Sequence, residues 1–193
     1  MTTKAIILGT TELHDIVSKA YNIGYVGISG LGWAAYFSIL RLYGKRVTEV
    51  ITLRTRDVYV EGKYLCIRFA IGKSHRQIKP VRTKKVKLDN PYAQIILEYL
   101  ETVPDGFLFP STGTKTGHIY RQYAHDACKM IRDDLTNHTF RHTLATQLAE
   151  RRFTAFELQS FFDWQKLETA SEYVKSSGVM SQRISDYVWE AEQ

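Results

Sequence analysis

The side chains with the greatest potential for chemistry lie in the last third of the chain. They are, in order, His138, Arg141, His142, Trp164 and Tyr173. Histidine transfers protons near neutral pH, arginine binds anions through paired N–H donors, and a tyrosine hydroxyl can act as a nucleophile. Singly, each has an ordinary structural explanation, because the chain has 12 tyrosines and a tryptophan in an apolar segment is typical of a core. The combination and its spacing are more informative.

The order and spacing of these residues resemble the tyrosine recombinases, the family of phage integrases, Xer-type recombinases and Cre-like enzymes. That family has an H-x-x-R motif, a His or Trp 23 residues after its arginine, and a tyrosine nine residues later. Here Arg141 precedes Trp164 by 23 residues, and Trp164 precedes Tyr173 by nine. Residues 138–146 read His-Thr-Phe-Arg-His-Thr-Leu-Ala-Thr, close to the family's usual H-x-x-R-H-T-x-A-T. The resemblance covers roughly residues 10–180.

Two segments nearer the N-terminus also match the family. Residues 44–50 read Gly-Lys-Arg-Val-Thr-Glu-Val, which fits a motif that carries an upstream arginine and indicates Arg46. The family also has a lysine in a β-hairpin, often after Ile-Gly. Ile-Gly-Lys at residues 71–73 fits, so Lys73 is predicted to be this lysine, with Lys79 as the alternative because the hairpin is rich in lysine.

The resemblance implies a site-specific DNA recombinase that cuts and rejoins strands through a 3′-phosphotyrosyl intermediate, with Tyr173 as nucleophile and no cofactor. Covalent capture conserves the phosphodiester energy, so rejoining needs no ATP. A type IB topoisomerase-like nicking and religating enzyme is the alternative, because it uses similar chemistry without exchanging strands between partners. A DNA-binding module without catalysis is a third hypothesis, and it would not need all of these residues.

The resemblance also implies a role for each of the other residues. Arg46 and Arg141 would stabilise the charge that develops on the non-bridging phosphate oxygens, since guanidinium groups stay ionised and offer paired donors. Lys73 would be the acid for the leaving oxygen, and His138 a base or a phosphate ligand. Trp164 would bind the phosphate through its indole N–H and form the pocket wall. Glu49, three residues after Arg46, is expected to orient a basic group.

Charge is concentrated in one segment of the chain. The net charge is +6, and residues 63–87 contain nine Lys or Arg and no Asp or Glu. Clustered cations neutralise phosphates and release counterions, although a solvated basic hairpin would have the same composition. The predicted DNA-binding residues are Arg76, Lys79, Arg82, Lys84, Lys85 and His142.

The hydrophobic patterns predict the elements that would position these residues. Helices are expected from residue 10, over 33–43 with Gly44 as the terminating glycine, and over 47–54. Alternating apolar residues over 57–70 predict strands around a turn at residues 61–62, and extended chain continues to residue 88. From Pro91 onward the pattern is mainly helical. The fold class is therefore α+β, mostly helical with a small antiparallel sheet, as in the tyrosine recombinase catalytic domain.

The domain prediction is a single catalytic domain over residues 1–193, with a tail helix at about 179–190 and no N-terminal core-binding domain. The partners implied are double-stranded DNA attachment sites and further copies of the chain, which would form a tetrameric synapse on DNA and associate weakly or not at all without it.

The sequence predicts neither a metal-binding site nor a membrane-spanning segment. His138 and His142 are four residues apart, but position 139 is Thr instead of the Glu of a zinc-binding HExxH motif. No apolar run is long enough to span a bilayer. The two cysteines form no CxxC pair, which indicates a reducing compartment, and an intracellular location in cytoplasm or nucleoid is expected for a protein of viral or mobile-element origin.

Overall fold

The computed structural model describes residues 6–70, 80–179 and 182–183. The chain forms two compact units: a larger one over Leu8–Arg141, and a smaller one made of His142–Gln193 with Met1–Ile7. The predicted Lys73, Arg76 and Lys79 lie outside the described residues, as does most of the predicted tail helix. Among the described residues, no helix combines the length and the apolar character that a membrane crossing requires.

The larger unit is built around one buried helix. Helix α2 (Gly30–Tyr43) packs against α1 (Thr10–Ala20) and α4 (Pro91–Thr102). Its aromatic side chains Trp33, Tyr36 and Phe37 are fully buried. The helix ends where Gly44 adopts a left-handed conformation with φ 53°, which a glycine reaches without steric cost. Both the helix and its terminating glycine were predicted, and the chain then turns into α3 (Val47–Ile51).

A three-stranded antiparallel sheet follows, in the order β1-β2-β3. The strands are β1 (Val58–Glu61), β2 (Tyr64–Ala70) and β3 (Val81–Lys87), and β3 forms one edge. Ile67 lies opposite Lys84 and Phe69 opposite Arg82, so these four side chains share one face of the sheet. The predicted α+β class with a small antiparallel sheet is confirmed.

The smaller unit contains three helices in its described residues. Helix α6 (Asn137–Glu150) begins in the larger unit and continues into the smaller one, where α7 (Ala155–Phe162) and α8 (Leu167–Ser176) follow. Thr154 caps α7 through a hydrogen bond from the Glu157 N–H, and the Glu157 carboxylate accepts from the Thr154 N–H in return. A small apolar core holds the unit together, made of Leu144, Ala145, Ala149, Leu158, Phe162 and Ala170.

Candidate active site

Arg46 is held by a buried carboxylate. The residue lies in the turn between α2 and α3 and caps the N-terminus of α3. Its backbone N–H donates to Glu49 Oε2 at 3.0 Å, and its Nη1 donates to Glu49 Oε1 at 3.1 Å. The Glu49 side chain is 1% exposed whereas that of Arg46 is 23% exposed, so the carboxylate is buried beneath a guanidinium that reaches the surface. This geometry agrees with the orienting role expected for Glu49.

Arg141 is bound to the same turn. Its Nη1 donates a 2.7 Å hydrogen bond to the carbonyl oxygen of Gly44, in a buried environment. Gly44 therefore has two structural roles. Its left-handed conformation ends α2, and its carbonyl oxygen positions Arg141, an arginine far away in sequence. The two predicted phosphate-binding arginines are thus held at the same turn. Arg46 belongs to it, and Arg141 binds the carbonyl of Gly44, two residues before Arg46.

A cavity of about 760 Å³ opens beside this turn, and its described lining is basic. It is lined by Lys45, Arg46, Val47, Thr48, Arg121, Gln122, His125, Thr136, Asn137 and His138. None of these lining residues is an Asp or a Glu. Arg46 and His138 were predicted from sequence, whereas Arg121 and His125 on α5 (Arg121–Ile131) were not. A cavity with this composition favours a polyanion as its ligand.

Lys45 is a further lining residue that the sequence did not indicate. It is 2% exposed, and its Nζ lies 5.1 Å from the centroid of the Phe69 ring near the end of β2. A cation over an aromatic face is attracted by the ring quadrupole. Lys45 thus links the turn that carries Arg46 to the strand that leads into residues 71–79, where Lys73 was predicted. Nothing in the local sequence distinguishes a buried lysine from a surface lysine.

Three predicted residues meet in the smaller unit. The Tyr173 hydroxyl lies 2.7 Å from Nδ1 of His142. The Trp164 ring is stacked on the Tyr173 ring, with centroids 5.3 Å apart and planes 8° from parallel. Phe162 stacks on Trp164 in turn, at 4.7 Å. Trp164 therefore packs on the tyrosine ring, whereas its predicted hydrogen bond to a phosphate and its place in a pocket wall stay predictions.

An unusual backbone conformation produces this arrangement. Asp163 ends α7 in a left-handed conformation with φ 54°, which is uncommon for a residue other than glycine. The following N–H, that of Trp164, donates to the Gln159 carbonyl at 3.1 Å. This turn directs the Trp164 ring back between Phe162 and Tyr173.

Three other tyrosines and one cysteine, which could act as nucleophiles, are buried in the core. Burial raises the pKa of Tyr36, Tyr43 and Tyr99, which disfavours their phenolate forms. Burial also raises the pKa of the Cys128 thiol to about 12. Tyr173, in contrast, is partly exposed. It is therefore better placed than these four residues to attack a large substrate.

The predicted DNA-binding residues of β3 lie on two different faces of the sheet. Arg82 and Lys84 share the face of Phe69, over which Lys45 lies. Lys85 is on the opposite face, where it forms an ion pair with Glu61. Among the described residues of β3, strand alternation therefore puts Arg82 and Lys84 on the side of Phe69 and Lys45, and Lys85 on the other side.

No group of three or more His, Cys, Asp or Glu side chains that could hold a metal ion occurs within the described parts of the chain.

Replacing Glu49 with Gln is expected to slow strand cleavage, by up to about 100-fold, because Arg46 would lose its charged anchor and a misplacement of about 1 Å has effects of that size. The measurement is the single-turnover rate of covalent adduct formation, with circular dichroism to confirm folding. Glu12→Gln is the matched control, since Glu12 caps α1 through the Gly9 N–H and lies on an exposed surface. Equal rates for the two variants would contradict an orienting role for Glu49.

Comparisons with known proteins bear on the fold and the family of the chain. The model of the phage integrase family matches residues 14–178. No curated protein sequence matches the chain significantly. Among solved structures, the XerH site-specific recombinase in its post-cleavage complex with difH has a TM-score of 0.73 and 19% identity, covering 99% of this chain and 54% of that one. The XerA recombinase has a TM-score of 0.66 and 18% identity, with coverage of 97% and 65%.

The catalytic domain of bacteriophage HP1 integrase is similar over nearly its whole length, with a TM-score of 0.59, 17% identity, and coverage of 92% of this chain and 95% of that domain. The chain thus spans about half of the XerH protein but almost all of an isolated catalytic domain. At these identities the structures show a shared fold, and the family model extends over most of the sequence. The chain belongs to the phage integrase family of tyrosine recombinases.

Proposed function

We propose that the chain is the strand-cleaving part of a site-specific DNA recombinase that acts on double-stranded attachment sites. One observation carries most weight: Tyr173, which has the family's spacing from Arg141 and Trp164, hydrogen-bonds to His142 through its hydroxyl and stacks on Trp164 through its ring. Arg46 and Arg141, bound to one turn, supply the paired cationic donors that a phosphodiester requires. The solved relatives include recombinases and integrases, which does not favour the topoisomerase alternative.

In the proposed reaction the Tyr173 oxygen attacks a DNA phosphorus in line with the leaving 5′ oxygen. Arg46 and Arg141 bind the non-bridging oxygens, where negative charge develops. The leaving alkoxide is a strong base, so it needs a proton, and Lys73 is the proposed donor with Lys79 as the alternative. A free 5′ hydroxyl from another strand then attacks the phosphotyrosine and releases the enzyme.

A pool of nicked duplexes with randomised sequence tests this function for any attachment site that the protein selects. The protein is incubated with the pool in EDTA, denatured, and the covalently attached DNA is sequenced. We expect adducts on the 3′-phosphate side, enriched for one sequence. Cleavage should proceed in EDTA because two arginines and a lysine take the role that metal ions have in two-metal nucleases. Cleavage that is lost on chelation and returns with magnesium, or adducts of random sequence, would contradict the proposal.

Contact with DNA is proposed on the face that carries Arg82 and Lys84. Replacing both with Gln should weaken duplex binding and reduce the slope of log affinity against log salt by about 2, since each phosphate contact contributes about 0.9. Lys85→Gln is the matched control, because Lys85 lies on the other face and pairs with Glu61. Fluorescence anisotropy over a range of salt gives the slopes. A larger loss in the control would place the DNA on the opposite face.

Self-association on DNA through the C-terminal tail is also proposed, with a tetrameric synapse as the active assembly. At the described start of the tail, Val179 and Arg183 line an apolar cavity of about 390 Å³ in the smaller unit, together with Phe153, Phe156 and Val174. Phe153 and Phe156 are 42% and 70% exposed, and neighbouring exposed aromatic side chains of this kind are typical of a binding surface.

Deleting residues 179–193 should lower cooperativity on paired attachment sites while cleavage by single protomers persists or rises. Gel-shift titrations on one and on two sites measure the cooperativity. The control for folding is the thermal unfolding midpoint of the truncated chain. Unchanged cooperativity in a folded truncated protein would mean that the tail belongs only to its own protomer.

A further inference from the structure

Tyr173, the predicted nucleophile, lies within hydrogen-bond distance of a residue for which the sequence indicated another role. His142 was predicted to contact DNA, yet its Nδ1 lies 2.7 Å from the Tyr173 hydroxyl oxygen. The distance is that of a good hydrogen bond between a hydroxyl and an imidazole nitrogen. Both residues belong to the smaller unit, His142 on α6 and Tyr173 on α8.

We infer that His142 is the general base that removes the proton from Tyr173 as the phosphodiester is attacked. This inference rests on the proposed function, and it assigns to His142 the proton transfer that the sequence left open for His138. A phenol ionises near pH 10 in water and an imidazole near pH 6.5, so neutral imidazole can accept a proton at neutral pH while free phenolate is scarce. A base must lie within about 2.6–3.2 Å of the atom that it deprotonates, and Nδ1 meets this condition.

The surroundings of Tyr173 separate this role from simple packing. Trp164 already covers one face of the phenol ring, in a nearly parallel stack. The His142 ring is inclined by 48° to the tyrosine ring, with centroids 5.6 Å apart, so it meets the hydroxyl end through a nitrogen and is not stacked. His142 and Tyr173 are both partly exposed residues.

The proton and bond changes balance as follows. With the imidazole proton on Nε2, the Tyr173 O–H donates to Nδ1. As the bond from the Tyr173 oxygen to phosphorus forms and the bond to the 5′ oxygen breaks, the phenol proton moves to Nδ1 and the imidazole becomes a cation. The leaving 5′ oxygen receives its proton from the lysine. On rejoining, a 5′ hydroxyl loses its proton to that lysine, and the departing tyrosine oxygen takes its proton back from His142. The role proposed for His138 is then to bind the phosphate.

The test compares His142→Asn with His14→Asn in single-turnover cleavage of the nicked duplex selected by the wild-type protein. Asparagine can accept the hydrogen bond but cannot hold a proton at neutral pH. His14 is exposed on α1, outside the site, and provides the matched control. Each protein is also prepared with 3,5-difluorotyrosine at position 173, because a more acidic phenol needs less help from a base. DNA-binding affinity and thermal unfolding are measured for every variant.

We expect His142→Asn to cleave about 10²–10⁴-fold more slowly than the wild-type protein, the usual range for a general base, and His14→Asn to cleave normally. Difluorotyrosine should restore much of the rate in His142→Asn, an effect that a merely structural role would not produce. His142→Gln serves in the same way if the asparagine variant unfolds. A variant that cleaves within threefold of the wild-type rate, or a slow one that the fluorinated tyrosine does not rescue, would overturn the inference. Wild-type protein that forms no adduct would instead overturn the proposed function.

Discussion

Tyr173→Phe is expected to abolish covalent attachment to DNA while duplex binding stays nearly unchanged. The hydroxyl is the proposed nucleophile, whereas the ring, which stacks on Trp164, is retained by phenylalanine. The variant also loses the hydrogen bond to His142, which contributes about 0.5–1.5 kcal/mol to stability for a typical pair. A small decrease in thermal stability is therefore expected, far too small to unfold the protein.

The measurement is a denaturing gel of protein incubated with nicked duplex, beside a gel-shift titration of the same DNA. Tyr187→Phe is the control variant, since Tyr187 is the next tyrosine after Tyr173 in the chain and lies outside the described residues. The control should form adduct at the wild-type level. An adduct that persists in Tyr173→Phe and disappears in Tyr187→Phe would assign the nucleophile to the tail.

Arg141→Lys is expected to reduce the cleavage rate by about 10²–10³-fold, the effect of removing one preorganised donor from a transition state. One arginine nitrogen already donates to the Gly44 carbonyl. A guanidinium has five N–H donors in a rigid fork and can bind both this carbonyl and a phosphate, whereas a lysine ammonium is a point charge on a flexible stem. The substitution keeps the charge, so the loss would measure geometry.

Arg141→Ala should also destabilise the larger unit, because the buried Gly44 carbonyl would lose its partner at a cost of about 1–3 kcal/mol. Single-turnover cleavage and urea unfolding measure the two effects separately. Arg132→Lys is the matched control, since Arg132 pairs at the surface with Glu12 and Asp134. If Arg141→Lys cleaved as fast as this control, Arg141 would be a structural residue only.

The sequence alone was sufficient for the family and the fold class, whereas the roles of the site residues stay predictions. Local physical rules explain this success. Gly44 ends α2 and Pro91 begins α4, since a glycine tolerates the left-handed conformation and a proline fits the first turn of a helix. The alternation of apolar residues predicted the strands, and the turn between them lies at residues 62–63, one position after the predicted 61–62. The spacing from Arg141 to Tyr173 can be read directly from the sequence.

The tertiary structure decided which of these residues touch each other. The bond from Arg141 to Gly44 joins residues 97 positions apart, and that from Tyr173 to His142 joins residues 31 apart, so no local pattern reports either. Lys45 is buried with its ammonium over the Phe69 ring of β2, and the pairing register of β3 with β2 decides that Lys84, and not Lys85, shares the face of Phe69. The sequence determined which functional groups are present, because local patterns and motif spacing depend only on the order of the residues. Only packing decided their partners, because hydrogen bonds and ring contacts depend on distances that folding sets.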